Sequence, residues 1–373
     1  MSKVNTLSPY YITIGDSPAV TNLTQVDMEL YVYTGTKFNR SSKFTLKSFA
    51  INYVVSFEIS EIVNDYILNT FNGDYVSENV WVEYRTKNYI LGSPQSFTSY
   101  TVLRGFNGYG YYEEGANPQN ESGLLQSNNH IVKLDDASAV IPVDTETTNT
   151  VTFELNGEVV YTRTISSSLE SDEQIEYVSN ITNGVDDFED RVIQDEGTFE
   201  GSVCLQQFAN EFTLFDFDTI YVDTDSGVIP ITVENVCETK YQPLKVTFVN
   251  KFGALQDIWF FKRSNETLST KQESFKRNII VNGTYDTSRH QDKTLTKNGN
   301  EKLDLNTGFY PEEYNEVFKQ MQLSRDCWIE VDNKTLPIKV VDSGLTYKTR
   351  VNDKLINYTI KVQYAFDTIN NIR

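Results

Sequence analysis

Along most of the chain, apolar and polar side chains change places at every residue. In residues 29–35 (ELYVYTG) and 80–86 (VWVEYRT) the faces switch with period two, as a half-buried strand requires. Residues 151–164 (VTFELNGEVVYTRT) predict a β-hairpin. Asn156-Gly157 can take the positive φ angles of a type I′ turn, and both flanks alternate. Residues 245–264 (KVTFVNKFGALQDIWFFKRS) predict two more strands joined by a turn that Gly253 closes. There Val246, Phe248, Ile258 and Phe260 alternate with Thr247, Val249, Trp259 and Phe261, so apolar groups lie on both faces. A strand carries that pattern when each face is covered. One cover is the domain's own core, and the other is expected to be a neighbouring subunit, with Trp259 and Phe261 on the outer face.

The helical period appears twice. Residues 60–71 (SEIVNDYILNTF) offer Ser60 as N-cap, Glu61 in the first turn, a stripe of Ile62, Tyr66 and Ile67, and Gly73 as a stop. In residues 310–324, Pro311 suits the first helical position and Glu312 and Glu313 suit the positive end of the dipole. Tyr314, Val317, Phe318 and Met321 form one apolar face. Short strands with an occasional helix predict a mainly β protein of two sandwich-like domains, each with about one helix. Residues 167–201 are strongly acidic and weakly periodic, so the boundary is expected near residue 195. That gives an N-terminal domain, 1–195, and a C-terminal domain, 196–373, carrying the helix 310–324. No fixed-period repeat points to a solenoid or propeller.

Composition sharpens this picture. A chain of 373 residues can hold two cores, and 39% hydrophobic with 13% aromatic residues is too apolar for disorder. The formal net charge of −20 makes the average surface repel nucleic acid and anionic lipid. It suits a solvated surface, or the wall of a passage along which DNA slides. Cys204, Cys237 and Cys327 show no C-x-x-C spacing, and their odd number argues against a disulfide framework. The first twenty residues lack a continuous apolar stretch, and nothing approaches the roughly 18 apolar residues of a membrane span. A soluble protein made in a cytoplasm is the expectation.

Candidate chemistry is sparse, and no catalytic, cofactor-binding or metal-ligating set is expected. His130 and His290 sit in polar settings and read as surface histidines; Cys/His clusters for zinc are lacking. Asp223 and Asp225 echo the start of a calcium loop, but Gly227 comes one residue early and no closing glutamate follows, so a polar hairpin turn is expected. Glu312-Glu313 and the acids around residue 187 read as dipole partners and a solvated run rather than a hydrolytic pair. The Gly-rich loop 104–123 (RGFNGYGYYEEGANPQNESG) carries Phe106, Tyr109, Tyr111 and Tyr112 between glycines. These rings are candidates for subunit contact, with stacking on sugar rings as the alternative and packing on their own domain as the plain one.

The run NVCETKYQPLKVTFVNKFGALQDIWFFKRS, the helix YPEEYNEVFKQMQLS ending near an LxxS-like pattern, the strand CWIEV and the closing YTIKVQYA together resemble virion structural proteins of tailed bacteriophages, particularly those infecting Bacteroidetes. SPYYITI, LYVYTG, SFEISEIVNDYI and VWVEYRT are similar to the leading β-domain of such proteins, so the resemblance spans most of the chain. It implies a non-enzymatic tail, baseplate or neck component, assembled in the infected bacterium's cytoplasm as a homo-oligomeric ring or with other tail proteins. The C-terminal domain resembles tail-tube-like folds that pack side by side. A host-receptor or carbohydrate-binding module at the tail tip is the alternative, and a phage-borne polysaccharide hydrolase the remote one. Neither sequence-specific nucleic-acid binding nor membrane insertion is expected.

Overall fold

The period-two pattern becomes sheet almost everywhere in the computed structural model, which describes residues 2–15, 22–35, 37–76, 80–119, 123–165, 175–183, 212–342 and 355–369. The protein is mainly β, with several sheets and, among the described residues, the two α-helices Ser60–Asn64 and Tyr314–Leu323. The chain divides into two compact units. The first is Met1–Cys237 with Thr247–Ile258, and the second is Glu238–Val246 with Trp259–Arg373.

The first unit holds two separate apolar cores. One lies under a sheet ordered Lys3–Asn5, Thr101–Phe106, Val80–Ile90, Leu23–Tyr33, Lys43–Phe49, with Ser93–Phe97 also on Val80–Ile90. Even-numbered Val26, Met28, Leu30, Val32, Val80 and Val82 are all fully buried. They pack with Ile12, Phe57, Ile59 and Val63. Each such side chain contributes on the order of 1.5–3 kcal/mol. The second core lies under a sheet ordered Glu158–Thr164, Thr148–Leu155, Thr219–Thr224, Gly227–Val236, His130–Leu134. Phe153 is its centre, edge-on to Phe215 at 5.2 Å and Phe217 at 5.1 Å. The predicted hairpin is present here, with Asn156 at φ 54° and Gly157 at φ 84°.

The expected domain division needs correcting. Residue 195 itself lies outside the described residues, as does most of the acidic stretch. However, Thr219–Thr224 pairs with Thr148–Leu155, Ile220 opposite Phe153, so residues 212–237 belong to the first unit. A long-range strand pairing overrides the composition change on which the cut at 195 rested.

The second unit is built on strands ordered Cys327–Val331, Lys334–Val340, Thr359–Tyr364, Asp292–Asn306, Asn265–Lys276. The helix Tyr314–Leu323 presents the expected face, with Tyr314, Val317, Phe318 and Met321 all buried. Tyr310 meets Tyr314 at 4.5 Å and Phe318 at 5.6 Å, and Phe318 meets Tyr358 at 5.0 Å. The helix starts later than expected, because Tyr310–Pro311 pairs with Leu355–Ile356 instead of opening it. The helix at Ser60 is also shorter than predicted. Ser60 does not cap it; its hydroxyl donates to Glu58, and the regular turns end at Asn64. Among the cysteines, Cys327 is buried, and that burial pushes its thiol up to about 12. Cys237 is exposed.

Candidate assembly surface

The turn between Val249 and Leu255 is a hydrogen-bonded knot around Asn250, which is 1% exposed. Its Oδ1 accepts from the amides of Phe252 (2.9 Å) and Ala254 (3.1 Å), and its Nδ2 donates to Leu125 O (2.8 Å) and Gln256 Oε1 (3.1 Å). Gly253 sits at φ 78°, and a Cβ there would stand 3.1 Å from the Asn107 backbone. Both conditions call for glycine. This turn packs on the Gly-rich loop of the same unit. The Tyr109 amide donates to Lys251 O at 2.8 Å, the Lys251 ammonium pairs with Glu114, and it lies 4.6 Å from the Tyr111 ring centre. Gly108 is constrained by close approach alone, since a Cβ would fall 2.8 Å from Lys251 O. The turn at 250–254 and the Gly-rich loop are therefore partners of each other.

That packing corrects the expected interface set. Phe106 is 3% exposed and shares a small core with Leu125, Ile175 and Ala254. Tyr109 and Tyr111 are half-buried and meet edge-on at 5.8 Å. Tyr112 alone of the four is fully open, at 98%. Phe261 does not face outward either: it is 3% exposed, 6.0 Å from the Tyr310 ring. Trp259 is half-buried, stacked on Phe261 at 6.4 Å, with its carbonyl held by the Tyr310 hydroxyl at 2.7 Å. The chain's own fold, within the second unit, covers Phe261 where a subunit was expected.

A second constellation was not anticipated. On the first sheet the odd-numbered side chains of Leu23–Tyr33 and Val80–Ile90, opposite the apolar core, form a ladder of charges and rings with Arg40, Lys43, Tyr100 and Arg104. Glu29 stands opposite Arg85 in register and accepts from Arg85 at 2.6 Å and Lys43 at 2.5 Å. Burial alone would raise its carboxyl, but those two cations bring it below the ordinary value. Glu83, fully buried, is paired with Arg40 at 2.7 Å and accepts from the Tyr33 hydroxyl, whose pKa is raised by burial and by that bond. Arg40 lies 3.8 Å from the Tyr100 ring centre, and Arg104 3.3 Å from that of Trp81. Each carboxylate on this face is met by a cation of the same face, so the ladder braces the sheet and offers no free acid–base pair. Its signal was readable: D-x-E-x-Y-x-Y at 27–33 and W-x-E-x-R-x-K at 81–87 alternate with apolar residues.

The third feature is an arm in the second unit. Asn265–Lys276 pairs along its length with residues 292–304, with one register shift at Glu273/Ser274, and Lys302–Asn306 also pairs with Thr359–Gln363. Thr368 and Ile369 still bond to Gly299 and Asn298. Beyond that point, residues 270–297 are exposed in succession on both faces, with only Ile279 half-buried. Phe275, Ile280, Val281, Tyr285 and Leu295 are 44–66% exposed. The end of the arm is a tight turn, Asn282 at φ 53° and Gly283 at φ 77°.

The remaining candidates are ordinary. His130 is half-buried on its strand, 3.5 Å from Glu234, and His290 is exposed. Asp223–Gly227 is the expected polar turn: Thr224 donates to Gly227 O at 2.7 Å and the Asp225 amide to Thr147 O at 3.0 Å. Among the described residues no three His, Cys, Asp or Glu side chains gather as a metal site, and no helix is long and apolar enough to cross a membrane. Comparison of the chain with protein-family models and with curated proteins gives no match.

Proposed function

We propose that the chain is a non-enzymatic structural component of a tailed-bacteriophage virion, a tail, baseplate or neck protein that works in a ring of its own copies or with other tail proteins. The observation that carries this reading is the arm 270–297. A two-stranded hairpin exposed on both faces is marginal by itself in water. Ordering each residue costs roughly 1–2 kcal/mol of backbone entropy. An element of this length that buries nothing of its own is suited to being covered by a partner. The β-rich scaffold and the resemblance of residues 235–373 to virion proteins point to a particle as the setting, with assembly in the infected cell's cytoplasm. Host-surface or glycan recognition through loop 104–123 is the weaker reading, because that loop turns Phe106, Tyr109 and Tyr111 toward its own unit and leaves only Tyr112 open. Mass spectrometry of purified particles tests the proposal: the chain is expected at a copy number that is a multiple of the ring symmetry. Its absence from intact particles would overturn it.

A further inference from the structure

We infer that the arm, residues 270–297, of one copy docks on the first unit of a second copy, and that opposite charge selects this partner. This deepens the ring reading and rests on it. The net charge of −20 is very unevenly divided. The first unit carries 12 Lys/Arg against 36 Asp/Glu, net −24, and the second 20 against 16, net +4. Within the second unit the arm holds Lys271, Lys276, Arg277, Arg289, Lys293 and Lys297 against Glu273, Asp286 and Asp292, net +3. A basic, apolar-tipped hairpin on a chain whose other unit is strongly acidic meets an oppositely charged unit on every other copy. Nucleic acid is the poorer partner, because a molecule of net charge −20 repels phosphate. Phe275, Ile280, Val281, Tyr285 and Leu295 supply the apolar contact that charge alone would not make durable. The outer edge of Asn265–Lys276 is the last strand of its sheet, so its backbone groups are open to pairing.

The test is sedimentation of the full chain at about 50 mM and about 500 mM salt, between which the screening length shrinks several-fold. Two variants accompany it. One replaces residues 272–297 by Asn-Gly, closing the hairpin where Lys271 and Asn298 already pair. The other is the charge reversal Lys271→Glu, Lys276→Glu, Lys293→Glu, which keeps the arm. The wild type is expected to self-associate at low salt and weaken at high salt. Both variants should sediment as monomers, with a dissociation constant raised at least about tenfold, while circular dichroism and melting stay as in the wild type. A wild-type oligomer that survives arm removal overturns the inference and leaves the ring reading standing. A wild type monomeric at every concentration overturns both. Loss of assembly on deletion but not on charge reversal overturns selection by charge. A monomer whose arm instead binds a labelled DNA duplex, by anisotropy, replaces the partner.

Discussion

Replacing Asn250 by Ala should be among the most damaging single changes available in the first unit. The side chain makes four hydrogen bonds and is 1% exposed. Two amides, Phe252 and Ala254, lose their acceptor, and Leu125 O and Gln256 Oε1 lose their donor. A bond between neutral groups is worth about 0.5–1.5 kcal/mol net, and a buried group left unsatisfied costs about 1–3 kcal/mol. Some of the four will find water or each other as the turn relaxes. A loss of about 3–4 kcal/mol follows, which for a unit of this size lowers the melting temperature by roughly 6–16 °C. Because the chain has two units, calorimetry should resolve the transition of the first, with urea unfolding as the second measure. Asn250→Asp keeps the acceptor but loses both donated bonds and places a carboxylate where almost no water reaches, so it should be no milder. The reasoning fails if Asn250→Ala costs under about 1 kcal/mol, or if Asn250→Asp restores wild-type stability.

Phe261→Ala and Trp259→Ala separate packing from assembly. The first removes a ring that is 3% exposed and should cost about 3–5 kcal/mol whatever the oligomeric state; a cost that appears only in the oligomer would return Phe261 to the interface. Trp259 is half-buried, so its replacement should destabilise less than that of Phe261, and a larger loss would contradict the burial order. Acid should dissolve the ladder on the first sheet. Glu29 and Asp27 have folded pKa values below their ordinary ~4.3 and ~3.9, so their contribution is fully present above those values and is lost as pH falls through the lower folded ones. The melting-temperature gap between the wild type and Glu29→Gln should therefore hold steady above pH ~5 and narrow progressively as pH falls below the ordinary ~4.3; a gap that does not change with pH would refute the assignment.

Local chemistry made several elements legible before any fold was known. Asn156-Gly157 permits left-handed backbone at two successive residues, and the hairpin follows from that. Tyr314, Val317, Phe318 and Met321 recur with the helical period, and the helix buries that face. Both are decided within a few residues, where dihedral preference and side-chain direction act. Helix ends were less secure. Ser60 had a competing acceptor in Glu58, and Pro311 a competing strand in Leu355–Ile356. The mainly β class likewise follows from period-two alternation.

What covers each face was left to the tertiary structure. Alternation states that Val246, Thr247, Phe248 and Val249 are all to be shielded, and all four are buried. It does not state by what. Only folding brings the turn at 250–254 against the loop at 107–114, and turns Phe261 toward Tyr310 rather than toward a neighbour. Only folding returns residues 219–236 to the first unit, and leaves 270–297 bare on both faces. Backbone preference is settled among adjacent residues and can be read from their order. Burial is a relation between residues tens to more than a hundred positions apart, and in this chain it decides which aromatic rings are core and which element stands open to a partner.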